Sequence, residues 1–109
     1  MKALIDLMKT AQKMQAELSK LQEELAGRTV EATVGGGMVK VVANGRREIL
    51  SVDVDTQVVD SADVEMLQDL ICACVNEALR KAQALETEEM KRLTGGLGLP
   101  FDLMGLLGR

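Results

Sequence analysis

Apolar side chains over residues 3–26 fall at Leu4, Leu7, Ala11, Met14, Leu18, Leu21 and Leu25, in alternating steps of three and four. That spacing puts all of them on one side of a helix, as a heptad seam about three repeats long. The positions between them are mostly Lys, Gln, Glu, Ala and Met, which lose little freedom in a helix, and Gly27 ends the pattern. At ~1.5 Å per residue such an element exceeds roughly 30 Å, which is long for a small domain.

From Thr29 the period shortens to two. Residues 29–34 alternate as a first strand, Gly35-Gly36-Gly37 turns the chain, and residues 38–43 form a second strand. Asn44-Gly45 signals a two-residue hairpin, because a type I′ turn needs positive φ at both central positions. The third strand runs over 47–55, with Leu50, Val52 and Val54 on one face and Ser51, Asp53 and Asp55 on the other. The helical period returns over 62–93, where Val64, Leu67, Ile71, Cys74, Val75, Ala78, Ala82 and Leu85 make one stripe. Asp60 and Ser61 are its expected caps, and Asp63 and Glu65 sit in the first turn, where the helix dipole favours acids. Gly95-Gly96 stops it. The pattern divides the chain into a domain over 1–94 and a Gly-rich apolar C-terminal tail over 95–109.

The predicted fold class is α+β: an α-β-β-β-α two-layer unit with a three-stranded antiparallel sheet and two long helices. So little sheet cannot cover both helices, so an apolar stripe is left over. A second copy related by a twofold axis is the simplest cover, and a tight homodimer is expected.

Composition narrows the function. The chain has 109 residues, enough for one domain. No apolar run approaches the ~20 residues of a membrane span, and the first residues enter the periodic segment without a signal-peptide pattern. With no His, imidazole catalysis and His-metal sites are excluded. With no Trp or Tyr and one Phe, platforms that stack single-stranded bases are nearly excluded. Cys72 and Cys74, two apart on a helix, point in nearly opposite directions and suit neither a shared metal nor a disulfide. No nucleophile–base pair or metal cluster can be assembled, so the expectation is a cytoplasmic binding or structural protein, not an enzyme, with no cofactor and no small-molecule substrate.

The net charge is −4, yet it is unevenly spread. Residues 51–79 carry seven acids and no base, while the first 20 residues carry Lys2, Lys9, Lys13 and Lys20 against Asp6 and Glu17. At about 100° per residue the four lysines share a band about 40° wide, centred roughly 145° from the apolar seam. Like charges in a line repel, and an extended polyanion lying along them would relieve that repulsion. A merely solvated face explains the same spacing. On the second helix Arg80 and Lys91 face away from the stripe, and Lys81 and Arg92 lie nearer its flank; Arg80 and Arg92 have the planar donor fork that grips phosphates, but the helix dipole and pairing with Glu77, Glu88 or Glu89 account well for Lys91 and Arg92 and are the favoured reading. Arg46 and Arg47 read as charged edge protection. Gly35-Gly36-Gly37 lacks the Gly-Lys-Ser/Thr and following helix of a phosphate loop. The acids from Asp53 to Asp69 do not match a calcium loop. On residues alone two functions stand: a phosphate-contacting DNA-binding protein, and a coiled-coil-like protein-interaction module that does not bind nucleic acid.

Leu7-Met8-Lys9, Ala11-Gln12-Lys13-Met14-Gln15 and Leu21-Gln22-Glu23-Glu24-Leu25-Ala26 together resemble the opening helix of the YbaB/EbfC family of nucleoid-associated DNA-binding proteins. The likeness continues through Gly37-Met38-Val39-Lys40-Val41, Asn44-Gly45, Glu65-Met66-Leu67-Gln68-Asp69-Leu70, Asn76-Glu77-Ala78-Leu79-Arg80-Lys81 and the ending with Leu99-Pro100. The resemblance implies a homodimer with projecting helices that binds double-stranded DNA and acts at the nucleoid, in its organisation or in gene regulation. It also implies DNA-contacting roles for Lys9, Lys20, Arg80 and Lys81, to which Lys13 adds charge on the same helix. Glu17, Thr87 and Glu89 depart from the family's pattern, standing where relatives often carry basic or neutral residues.

Overall fold

Alternation over 29–34 and 39–44 builds two strands whose alternate residues meet one helix. The computed structural model describes residues 1–59 and 63–96. Its elements are α1 (Lys2–Gly27), β1 (Thr29–Val34), β2 (Val39–Asn44), β3 (Ile49–Val54) and α2 (Val64–Gly96), with short 3₁₀ turns at Gly35–Gly37 and Thr56–Val58. The sheet is an antiparallel meander in the order β1-β2-β3. Ala32 faces Val41, and Val41 faces Val52, so one apolar row crosses all three strands. The α-β-β-β-α order and the two-layer architecture agree with the sequence pattern.

α2 lies across β1 and β2. The core it closes is Ala32, Val39, Val41 and Ala43 from the sheet against Cys74, Ala78 and Ala82 from the helix, flanked by Val30, Val34, Leu70, Ile71 and Val75. Small residues on α2 let its backbone approach the sheet closely. Cys74 is fully buried, with its Sγ 3.2 Å from the Ala32 carbonyl oxygen and 3.5 Å from that of Val39, so it behaves as a small core residue. Cys72 is exposed.

β3 falls outside the α2 footprint. Its apolar residues Ile49, Leu50 and Val52 are 39%, 53% and 43% exposed. The pairing register shifts between Val42 and Ala43, opposite Ser51 and Ile49, which leaves Leu50 as the extra residue of a bulge. The expected third strand over 47–55 is accordingly shorter, and the second begins at Val39 rather than Met38.

The hairpin differs from the expected two-residue type I′ turn. The Asn44 carbonyl accepts the Arg47 N–H at 3.0 Å, and the Glu48 carbonyl accepts the Asn44 N–H at 3.0 Å, enclosing three residues. The left-handed residue is Arg47, at φ 63°, and Gly45 is not among the residues with positive φ. Gly45 is there for room. A Cβ on it would sit 2.7 Å from Leu25 Cδ2 and 3.0 Å from the Leu25 carbonyl oxygen. Its N–H donates to the carbonyls of Leu25 and Arg28, both at 2.9 Å.

That contact roots α1. Leu21 and Leu25 are buried, while residues 1–13 are exposed on every side. After Gly27 the chain turns extended at Arg28 (φ −97°, ψ 133°) and passes directly into β1. The heptad seam thus has two halves. The C-terminal half seats on the body, and the N-terminal half projects with Leu4 57% and Leu7 65% exposed.

α2 runs from Val64 to Gly96, against the expected 62–93. Asp60 and Ser61, the expected caps, lie outside the described residues, as does the tail from Leu97. The Asp63 carboxylate accepts the Met66 N–H at 3.2 Å and serves as the cap. At the other end the buried Thr94 hydroxyl donates to the Met90 carbonyl at 2.9 Å, and the helix continues through Gly95 and Gly96.

Candidate nucleic-acid interface

Lys2, Lys9, Lys13 and Lys20 are all exposed on α1. None of them forms a salt bridge with another described residue, although Asp6 and Glu17 lie on the same helix. Helical geometry keeps them in one line on the side away from Leu21 and Leu25. Successive members are separated along the axis by ~10 Å, ~6 Å and ~10 Å, from a rise of ~1.5 Å per residue. The first three stand on the projecting half, where a rod-like ligand could lie beside them without meeting the sheet.

Lys20 stands at the inner end of that line. It borders a cavity of about 150 Å³ between the two helices, lined also by Glu17, Leu21, Glu24, Glu89, Arg92 and Leu93. Acids outnumber bases there, so the cavity itself is not an anion pocket.

The two expected contact residues on α2 are engaged within the chain. Arg80 Nη2 and Nε donate to the Glu77 carboxylate at 2.7 and 3.0 Å. Both partners are largely exposed, so the pair adds little stability and can be exchanged for a phosphate. Lys81 Nζ donates to the Glu31 backbone carbonyl at 2.8 Å, tying α2 to β1. Lys81 therefore has a structural task alongside its charge. Arg80, Gln83, Ala84, Thr87, Glu88 and Lys91 line a shallow depression on the outer face of α2, of about 490 Å³. Lys20 thus borders the cavity between the helices, while Arg80 lines the depression on α2 and Lys81 is held against β1, so the two helices do not share one lining here.

Periodicity alone does not reveal the polar junction where α1, the hairpin and α2 meet. The Arg28 Nη1 donates to the Glu89 carboxylate at 2.7 Å across 61 residues of chain. Arg92 approaches the same oxygen at 3.6 Å, and Arg47 approaches Glu86 at 3.6 Å. Asn44 completes the junction. Its side-chain oxygen accepts the N–H groups of Arg46 and Glu48, both at 3.0 Å, and its amide donates to the Ala26 carbonyl at 3.3 Å and to Glu48 at 2.9 Å. Only the Asn44-Gly45 dipeptide hinted at this place.

Among the described residues no cluster of acids and cysteines could hold a metal ion, and no helix is long and apolar enough to cross a membrane.

Comparison with known proteins places this geometry. A nucleoid-associated protein of Pelotomaculum thermopropionicum is 60% identical over 94 residues, covering 86% of this chain and 90% of that protein. A nucleoid-associated protein of Thermoanaerobacter sp. strain X514 is 56% identical over 95 residues, covering 87% and 86%. Among solved structures, an uncharacterized protein from Helicobacter pylori superposes with a TM-score of 0.69 at 25% identity, over 84% of this chain and 91% of that one. The model of the YbaB/EbfC DNA-binding family matches residues 1–97, which takes in both helices, the sheet and the whole lysine line, and the chain belongs to that family.

Proposed function

We propose that the protein binds double-stranded DNA as a homodimer, through phosphate contacts made mainly by the lysines of α1, and works at the nucleoid as its relatives' names state. The observation that carries this reading is the line of exposed lysines, without salt bridges to other described residues, three of which stand on a helix half that buries nothing within the chain. A solvated structural face needs no such projection. Lys9, Lys13 and Lys20 make the main contacts, Arg80 joins by exchanging Glu77 for a phosphate, and Lys81 adds field while holding β1. With one Phe and no Trp or Tyr in the chain, contacts to the backbone dominate over base reading, and sequence discrimination is weak. Organisation of the nucleoid or tuning of expression follows from such binding.

The second copy is needed to cover β3. Ile49, Leu50 and Val52 form an apolar patch that the chain's own helix leaves open, at the edge of the sheet. Pairing two such faces about a twofold axis buries both and brings two lysine lines to one duplex.

A salt titration of binding to duplex DNA, with sedimentation of the free protein, tests both parts. Log affinity should fall against log salt by about 0.9 for each phosphate engaged, or roughly 5 for Lys9, Lys13 and Lys20 on each of two copies. A protein that binds no duplex at low salt, while capturing another protein through α1, would establish the interaction-module reading instead.

A further inference from the structure

We infer that Glu89 is a positioning residue for DNA binding: an acid whose removal weakens attachment to a polyanion, because it sets the direction in which α1 projects. The inference takes its consequence from the duplex-binding reading above, but its geometry is independent of that reading. The Glu89 side chain is 11% exposed, the most buried carboxylate in any of the chain's described ion pairs. It takes the Arg28 guanidinium at 2.7 Å, one residue past the end of α1, and lies 3.6 Å from Arg92 on its own helix. Elsewhere α1 is held by the seats of Leu21 and Leu25 and by the hairpin bonds to the carbonyls of Leu25, Ala26 and Arg28. Those bonds hold the root of the helix against the sheet. The Arg28–Glu89 pair links that root sideways to α2.

The lever is long. Lys9 lies 19 residues before Arg28, so at ~1.5 Å per residue a tilt of ~10° at the root displaces it by about 5 Å. That exceeds the ~3.4 Å axial step between phosphates on one strand. A loosened root would leave the lysines charged and exposed, but out of register with the backbone they meet.

The sign of the effect makes the inference testable. Glu88 is the preceding residue, is exposed and enters no salt bridge among the described residues. If acids on this helix act only through charge, Glu88→Gln and Glu89→Gln should both tighten DNA binding, and Glu89→Gln more so because it unmasks Arg28 and Arg92. If Glu89 positions α1, Glu89→Gln should weaken binding several-fold while Glu88→Gln leaves it equal or tighter. The affinities are measured on one duplex at one salt concentration. A second readout needs no DNA. Spin labels on Thr10→Cys and the exposed native Cys72, diluted into unlabelled chain, should give a distance distribution that widens by several ångströms in Glu89→Gln. Binding by Glu89→Gln as tight as by Glu88→Gln, or an unchanged distance distribution, overturns the inference. Should Glu89→Gln fail to fold by circular dichroism, Glu89→Asp provides the comparison. It keeps the charge but falls one methylene short of Arg28; weaker binding than wild type supports the inference, and equal binding overturns it. A wild-type protein that binds no duplex would defeat the duplex-binding reading, while the distance measurement would still decide whether Glu89 sets the helix.

Discussion

Adding one methyl group at Gly45 separates two explanations of the hairpin. If the glycine were needed for a left-handed backbone, the penalty would be conformational and independent of the neighbours. The structure instead gives Gly45 an ordinary φ and little space, with Leu25 Cδ2 2.7 Å and the Leu25 carbonyl oxygen 3.0 Å from an added Cβ. Overpacking of this kind costs about 1–3 kcal/mol. Restricting the unfolded chain by replacing Gly with Ala returns about 0.4–1 kcal/mol. The net expectation for Gly45→Ala is a loss on the order of 1–2 kcal/mol, about 5–15 °C in Tm for a domain of this size. Urea unfolding followed by circular dichroism, at one fixed protein concentration, measures it. Leu25→Ala alone should cost about 2–5 kcal/mol, since Leu25 is fully buried. In the Leu25→Ala background the 2.7 Å contact with Cδ2 is gone, while those with Cβ and the carbonyl oxygen at 3.0 Å remain, and Gly45→Ala should cost at least ~0.5 kcal/mol less, a coupling within reach of a double-mutant cycle. Additive losses, or a Gly45→Ala loss below ~0.5 kcal/mol, would refute the close-approach argument.

Three further outcomes are expected. Asn44→Ala leaves the N–H groups of Arg46 and Glu48 and the Ala26 carbonyl without their side-chain partner at a site 3% exposed, and should cost about 1–3 kcal/mol in the same unfolding assay. Lys9→Gln with Lys13→Gln should leave unfolding unchanged, because both side chains are exposed, and should reduce the salt slope of DNA binding by about 3.6 for a dimer losing four contacts. Leu50→Asp with Val52→Asp should convert the sedimenting species to a single subunit and weaken DNA binding, the two charges being set in the uncovered β3 patch; a persisting dimer would place the contact elsewhere.

Periodicity made the elements legible because each is amphipathic by itself. The strict alternation of Thr29–Val34 and the three-four stepping of α1 needed no tertiary partner to be recognised. What escaped detection depends on residues distant in the chain. The seam of α1 looks uniform from Leu4 to Leu25, but only the body can show which half it buries. Asn44-Gly45 signals a turn, yet the loop encloses three residues with Arg47 left-handed, and Gly45 is required by the closeness of Leu25, 20 residues earlier. Among the candidate contacts, spacing placed the α1 lysines on one exposed line, but it could not tell that Lys81 would reach the Glu31 carbonyl 50 residues away. Arg28 and Glu89, 61 residues apart, carry no local pattern at all.

A helix half that touches nothing else in its own chain can change length without disturbing the fold of that chain. Seven residues inserted after Lys13 would carry the outer lysines about 10 Å farther out and rotate them by only ~20°, so the charged line would stay aligned. Four residues would swing it by about 40° and three by about 60° in the opposite sense, twisting the outer charges away from Lys20. Reach along the ligand is therefore adjustable in whole heptads, as though the protein carried a ruler graduated in two-turn units.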